Sequence, residues 1–183
     1  SDVYKRQRMT PAAPVVIAVP DRDFDLTEVV VPWRALREAG VPVSFATERG
    51  PQGPLPACDP KLIDDPTLRA LRLVARPANV ALYRELEEAP ERQAPIRWRD
   101  IDPTHHAGLV LPGGHWARGM RQYLEGAALQ SAVVAMVRAN RPVGAICHGG
   151  VVLARSIDPA TGASVIAGRR VTALLRSSEL TAF

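Results

Sequence analysis

Two cysteines, four histidines and two lysines are all that this chain of 183 residues contains of those types, and aromatics make up only 5% of it. Cys58 and Cys147 lie far apart, with no C-x-x-C pair and no Cys/His spacing suited to zinc, which argues against a disulfide framework and a zinc site. There is also no run of about eighteen apolar residues, so a membrane-spanning helix is excluded. The N-terminus, Ser1 to Arg8, is polar and basic with no apolar stretch behind it, unlike a secretory signal, and a cytoplasmic location is expected. A formal charge of +4 is too small an excess to argue for nucleic acid. The basic residues, nearly all arginine, are scattered among acids as on a solvated surface. In a reducing compartment a solitary thiol in a special setting is more often reactive than structural.

What is present is enough for one core: 46% hydrophobic residues in a length typical of a single domain. Residues 1–8 differ in character from the chain beyond Met9 and read as a non-native leader, so the domain is placed at 9–183. Pro14–Pro20 is a short apolar run between prolines, the pattern of a buried parallel strand. A polar loop comes next, and Thr27 is expected to cap a helix running to Ala39, with Gly40 as its stop. Val41–Ala46 is a second strand, which completes a βαβ unit. Gly50–Pro60 is a loop. Residues 66–89 carry two helical patterns, one of them Val80–Leu86, expected as an insertion or cap beside the sheet.

Ala107–Leu111 reads as the third strand and runs straight into Pro112-Gly113-Gly114-His115. Leu129–Ala139 is an amphipathic helix, Pro142–Ile146 a fourth strand, and Gly149–Arg155 the start of another helix. Beyond it, Ser164–Ile166 and Arg169–Leu174 suggest a strand pair around Ala167-Gly168, and the end near Phe183 reads as the start of a helix. A sheet that stops this soon leads us to expect missing C-terminal elements. The predicted fold class is α/β, a flavodoxin-like three-layer sandwich with a mostly parallel central sheet.

In Ala145-Ile146-Cys147-His148-Gly149-Gly150 a strand passes at once into a helix, with small residues two before and two after the cysteine. That is the requirement of a nucleophile elbow, whose turn is too tight for larger side chains and pushes the nucleophile above the carboxyl edge of the sheet. A thiol at a helix N-terminus is expected to be acidified by the helix dipole and free N–H groups. Read alone, the spacing leaves open a buried structural cysteine.

Gly113 and Gly114 offer backbone N–H groups that could form half of an oxyanion hole, the N–H of His148 supplying the other half, although Pro-Gly-Gly is often only a turn. His148 is a candidate base or acid, but adjacent side chains usually diverge, and nothing local brings its ring to the sulfur. Glu28 lies just beyond the carboxyl end of the first strand, where open α/β sheets bind ligands. It could meet Cys147 there or simply stabilise its own helix N-terminus. Cys58, His105 and His106 read as ordinary loop or strand residues.

With Glu28 before a Val-Val-Val-Pro helix, the Leu-Val-Leu-Pro-Gly-Gly-His strand end and the cysteine elbow, the chain resembles the ThiJ/PfpI superfamily, with its class I glutamine amidotransferase-like fold, from Val15 to about Val171. The resemblance implies Cys147 as nucleophile, Glu28 as the acid hydrogen-bonded to it, His148 beside it, Gly114 as an oxyanion donor with Gly113 and His115 lining the substrate, and Glu179 as an acid able to orient the histidine. It implies cofactor-free glyoxalase or deglycase chemistry on reactive carbonyls such as methylglyoxal, in a homodimer or larger assembly, with no cofactor, metal, nucleic acid or membrane as partner. Relatives also include peptidases, chaperones and redox sensors built on the same cysteine. Glutamine hydrolysis is disfavoured because no histidine comes after His148 in the sequence, and an α/β hydrolase because there is no Gly-x-Ser-x-Gly.

Overall fold

The structure, a computed structural model, describes residues 13–172. Strands β1 (Val15–Ala18) and β2 (Val43–Thr47) flank helix α1 (Leu26–Glu38), as the βαβ reading requires. Four helices come next, α2 (Lys61–Asp64), α3 (Pro66–Ala70), α4 (Pro77–Glu87) and α5 (Pro90–Gln93), and lead to the short strand β3 (Ile96–Arg97). Beyond it are β4 (Gly108–Leu111), α6 (Ala117–Glu125), α7 (Ala127–Arg138), β5 (Val143–Ala145) and α8 (Gly149–Arg155). A small hairpin of β6 (Ile157–Asp158) and β7 (Ala163–Ser164) ends the described chain. No helix among the described residues is long and apolar enough to cross a membrane.

The central sheet is parallel throughout, in the order β3-β2-β1-β4-β5. Side chains alternate between its faces, and β1 shows the consequence directly. Val16 and Ala18 join the core under α6, α7 and α8 with Leu109, Leu111, Tyr123, Leu129 and Met136. Ile17 joins the opposite core with Val29, Val30, Trp33, Phe45, Tyr83 and Leu86, contributed by α1, β2 and α4. Two buried faces on one sheet make three layers, and they explain why these strands read as continuous apolar runs.

Several local expectations change. The cap of α1 is Asp25, not Thr27, because the Asp25 carboxylate accepts the N–H groups of Thr27 and Glu28 at 2.8 and 3.3 Å. The middle segment, residues 66–89, lies beside the sheet, and an unexpected short strand follows it. Its α4 packs on the α1 side, while β3 extends the sheet by pairing Ala46 with Ile96 and Thr47 with Arg97. Two residues are too few for an alternation to be visible in the sequence. The expected strand pair at 164–174 does not form within the described residues. Ile157 and Asp158 pair instead with Ser164 and Ala163, around a turn in which the Asp158 carboxylate accepts the Ala160 N–H. The residues expected to start a final helix, Glu179 among them, lie outside the described part.

Tyr123 ties the helical layer to the strand end that leads toward Glu28. Its buried hydroxyl donates to the Ala18 carbonyl at 2.9 Å. Tyr123→Phe should therefore lower stability by about 1–2 kcal/mol, since the carbonyl is left without its partner in a dry setting. An unchanged midpoint in guanidinium unfolding would contradict this.

Candidate active site

Parallel strands bring their carboxyl ends to one edge, and the order β1-β4-β5 decides which loops meet there. The loop after β4 lies between the first turn of α1, which follows β1 and carries Glu28, and the elbow after β5, which carries Cys147. β1 has β2 on one side and β4 on the other, so this is also where the strand order reverses, the usual place for a ligand crevice.

The elbow is real in its backbone. Cys147 has φ 51°, in the left-handed region that a non-glycine residue adopts at a cost. The turn is held by the Ile146 N–H on the Leu111 carbonyl at 3.0 Å and by the Gly149 N–H on the Ile146 carbonyl at 2.8 Å. Gly149 sits so close to β4 that a Cβ there would lie 1.9 Å from the Leu111 carbonyl oxygen. Gly113 is equally constrained, because a Cβ would lie 2.6 Å from the His148 nitrogen and 3.1 Å from the Cys147 Cβ.

Glu28, 85 positions from Gly113 in the chain, joins the site through its side chain. The Gly113 N–H donates to Glu28 Oε2 at 2.7 Å. This amide, expected to face a substrate oxygen, is thus engaged by the carboxylate. Gly114 packs against the loop after β1, where a Cβ would meet the Asp23 carbonyl at 2.5 Å. Of the two, Gly113 therefore positions Glu28, and the N–H of His148 points to the sulfur. His115 is exposed on the adjoining loop, near enough for its charge to act on Glu28.

The His148 ring does face the thiol, with Nδ1 3.4 Å from Cys147 Sγ. Local divergence of adjacent side chains is overcome here because the elbow turns the backbone between them through the left-handed region. Among the described residues no group of three His, Cys, Asp or Glu side chains could hold a metal ion.

The electrostatics reverse one expectation. Partial burial and then the Glu28 charge push the Cys147 thiol up to about 11, against the lowering effect of the His148 N–H. Desolvation of the sulfur and the neighbouring carboxylate act in the same direction, burial being the larger of the two. Helix α8 has seven residues, too short for its dipole to outweigh an acid beside the sulfur. Glu28 is itself raised, chiefly by burial, with the Gly113 N–H pulling the other way. The two groups therefore compete for protons as a pair. The other cysteine, Cys58, is buried, and its backbone N–H donates to the Tyr83 hydroxyl at 3.1 Å.

Beside Cys147, on the side away from β4, a cleft of about 620 Å³ opens between the elbow and the last described residues. Val151, Ala154, Ile166 and Val171 supply apolar walls, and Arg170 lies among the lining residues.

A family described as ThiJ/PfpI family-like is matched over residues 19–172. Among curated proteins none matches this sequence. The solved structures it resembles include the rapid encystment protein of 24 kDa from Francisella tularensis, at TM-score 0.62 and 19% identity, covering 92% of this chain and 73% of that one. Glyoxalase III from Candida albicans is similar at TM-score 0.59 and 19% identity, covering 92% of this chain and 71% of that one. A ThiJ/PfpI domain protein from Brachyspira murdochii is similar at TM-score 0.57 and 12% identity, covering 94% of this chain and 75% of that one. At such identities the likeness concerns the fold.

Proposed function

Because the chain belongs to the ThiJ/PfpI-like family, we propose that it is a cysteine-dependent, cofactor-free enzyme that converts small reactive 2-oxoaldehydes such as methylglyoxal to hydroxy acids. The observation that carries this reading is the Glu28 carboxyl, held by the Gly113 N–H and acting on the Cys147 thiol. A glyoxalase needs one nucleophile for the aldehyde and one proton carrier with a raised pKa, and a thiol beside a carboxyl that burial raises above its ordinary value supports that assignment.

The resting sulfur is a thiol at neutral pH, so attack is coupled to proton removal, with His148 Nδ1 placed to receive the proton. Sulfur adds to the aldehyde carbon and the carbonyl oxygen becomes the hydroxyl of a hemithioacetal. Glu28 takes the proton from that carbon, giving an enediol, and returns a proton to the adjacent carbon. The product of this transfer is a thioester, which water hydrolyses to lactate, restoring the thiol. One methylglyoxal and one water give one lactate, with no external oxidant or reductant.

The fold likeness to glyoxalase III makes methylglyoxal the first substrate to test. The redox-sensor reading is less well supported, since sensor cysteines work through a lowered pKa and this one is raised. Purified wild type incubated with methylglyoxal without glutathione should form lactate, and Cys147→Ala should form none. Lactate from the variant at the wild-type rate would remove the proposal. If wild type makes no lactate while Cys147 is still alkylated in a normal time course, the reading moves to another acyl or carbonyl substrate.

A further inference from the structure

We propose that Asp25 is a positioning residue of this site: it locks the first turn of α1 to the end of β4 and so holds the Glu28 carboxyl against the Cys147 thiol. This role rests on the reading of Glu28 and Cys147 as a working pair. Nothing in the sequence singles out Asp25, one of several acids in a polar loop.

Asp25 makes two kinds of contact, and both lead to Glu28. Its backbone is extended, with φ −74° and ψ 118°, as an N-cap must be, and its Oδ1 accepts the N–H of Thr27 at 2.8 Å and of Glu28 itself at 3.3 Å. Its own N–H donates to the Gly113 carbonyl at 2.9 Å. Gly113 answers with its N–H on Glu28 Oε2 at 2.7 Å. The result is a closed ring running from the Asp25 backbone to Gly113, to the Glu28 carboxyl, to the Glu28 backbone and back to the Asp25 carboxylate. Glu28 is thereby fixed at both ends, its main chain by Asp25 and its carboxyl by Gly113.

The loop that carries Asp25 is anchored from behind as well. Gln122 on α6 accepts the Asp21 N–H at 3.0 Å and donates to the Asp21 carboxylate at 2.9 Å. Rigid support of this kind is what a catalytic group on a loop-helix junction requires, because small displacements of such a group cost much of its effect.

Asp25 also adds charge. It raises both Glu28 and Cys147, alongside the effects that burial and the Glu28–Cys147 contact already exert. The other groups facing the pair are His115 and buried Tyr123 near Glu28, and the His148 ring and N–H at the sulfur.

The test compares Asp25→Asn and Asp25→Ala with wild type by the pH dependence of iodoacetamide alkylation, read on the Cys147 peptide by mass spectrometry, and by thermal unfolding. Asparagine keeps the cap acceptor and loses the charge. Its Tm should stay within about 2 °C of wild type while the alkylation midpoint falls by roughly half a pH unit. Alanine also frees Glu28 from its place, so the midpoint should fall by roughly twice as much and Tm by about 2–4 °C. Profiles that superimpose on wild type for both variants would overturn the proposal, whatever happens to Tm. Equal midpoint shifts for Asn and Ala would reduce Asp25 to a charge and overturn its positioning role. Alkylation needs no substrate: shifted profiles in a protein that makes no lactate would uphold Asp25 and reject the glyoxalase reading.

Discussion

Gly149→Ala is expected to cost about 3 kcal/mol or more of stability and to disorganise the cysteine turn, well beyond the usual effect of one added methyl. The new Cβ would stand 1.9 Å from the Leu111 carbonyl oxygen, 2.7 Å from its carbon and 3.0 Å from the Pro112 carbonyl oxygen. All three atoms are backbone, so no side chain can swing aside. That same Leu111 oxygen accepts the Ile146 N–H, the bond that carries the β4–β5 pairing into the turn. Relief would require α8 to lift from β4, withdrawing Val152 from the core in which it is fully buried. Gly150→Ala is the matched control, because nothing lies within 4 Å of its Cβ position. There the helix gains a better former, and stability should stay level or rise by about 0.5–1 kcal/mol. Guanidinium unfolding of the two variants checks the contrast. A wild-type midpoint for Gly149→Ala would mean that the turn is not packed against β4.

Glu28→Gln should move two readouts in opposite directions. Glutamine can still accept the Gly113 N–H, so the local geometry is kept while the charge is lost. In the alkaline range where the Cys147 thiol titrates, Glu28 is ionised and opposes the thiolate. Removing that charge should lower the alkylation midpoint from about 11 by roughly one pH unit or more, and the thiol should react faster near neutrality. Lactate formation should nevertheless fall by about 10²–10⁴-fold, because an amide cannot carry a proton between the two carbons. A more reactive cysteine in a slower enzyme would separate nucleophile activation from proton transfer. If alkylation slowed in step with lactate formation, Glu28 would be acting on the fold of the elbow and not as an acid.

The pH behaviour of the wild type obeys the same signs. The Cys147 thiolate is favoured only as pH approaches about 11, so unassisted alkylation should climb steadily through neutrality with no plateau near pH 7. The sequence alone suggested the reverse. A cysteine at a helix N-terminus is acidified when the helix and its N–H groups are the strongest local charges. Here the strongest one is a carboxylate brought from the other end of the domain.

That difference marks the boundary between the features legible in the residues and those that were not. Period and punctuation determined the α/β class, because strands buried on both faces read as short apolar runs, as Val15–Ala18 and Gly108–Leu111 do with Pro20 and Pro112 close behind them. They also determined the elbow. The turn leaves space only for small residues, and Ala145 and Gly149 announce it whatever the rest of the chain does. Glu28 and Gly113 were visible as candidates for the same reason, each lying just past the end of a recognisable strand. Tertiary structure decided the rest. Strand order placed β4 between β1 and β5, which brought the Gly113 N–H to the Glu28 carboxyl. The cap moved from Thr27 to Asp25, where two competent side chains stand within one turn and only the path of the loop chooses between them. Strand β3 escaped notice because two residues carry no period, and its place comes from pairing with β2. The direction of the Cys147 shift was hidden most completely. Short-range propensities are written in neighbouring residues, whereas a pKa is set by whatever charge and burial the folded chain brings to the atom.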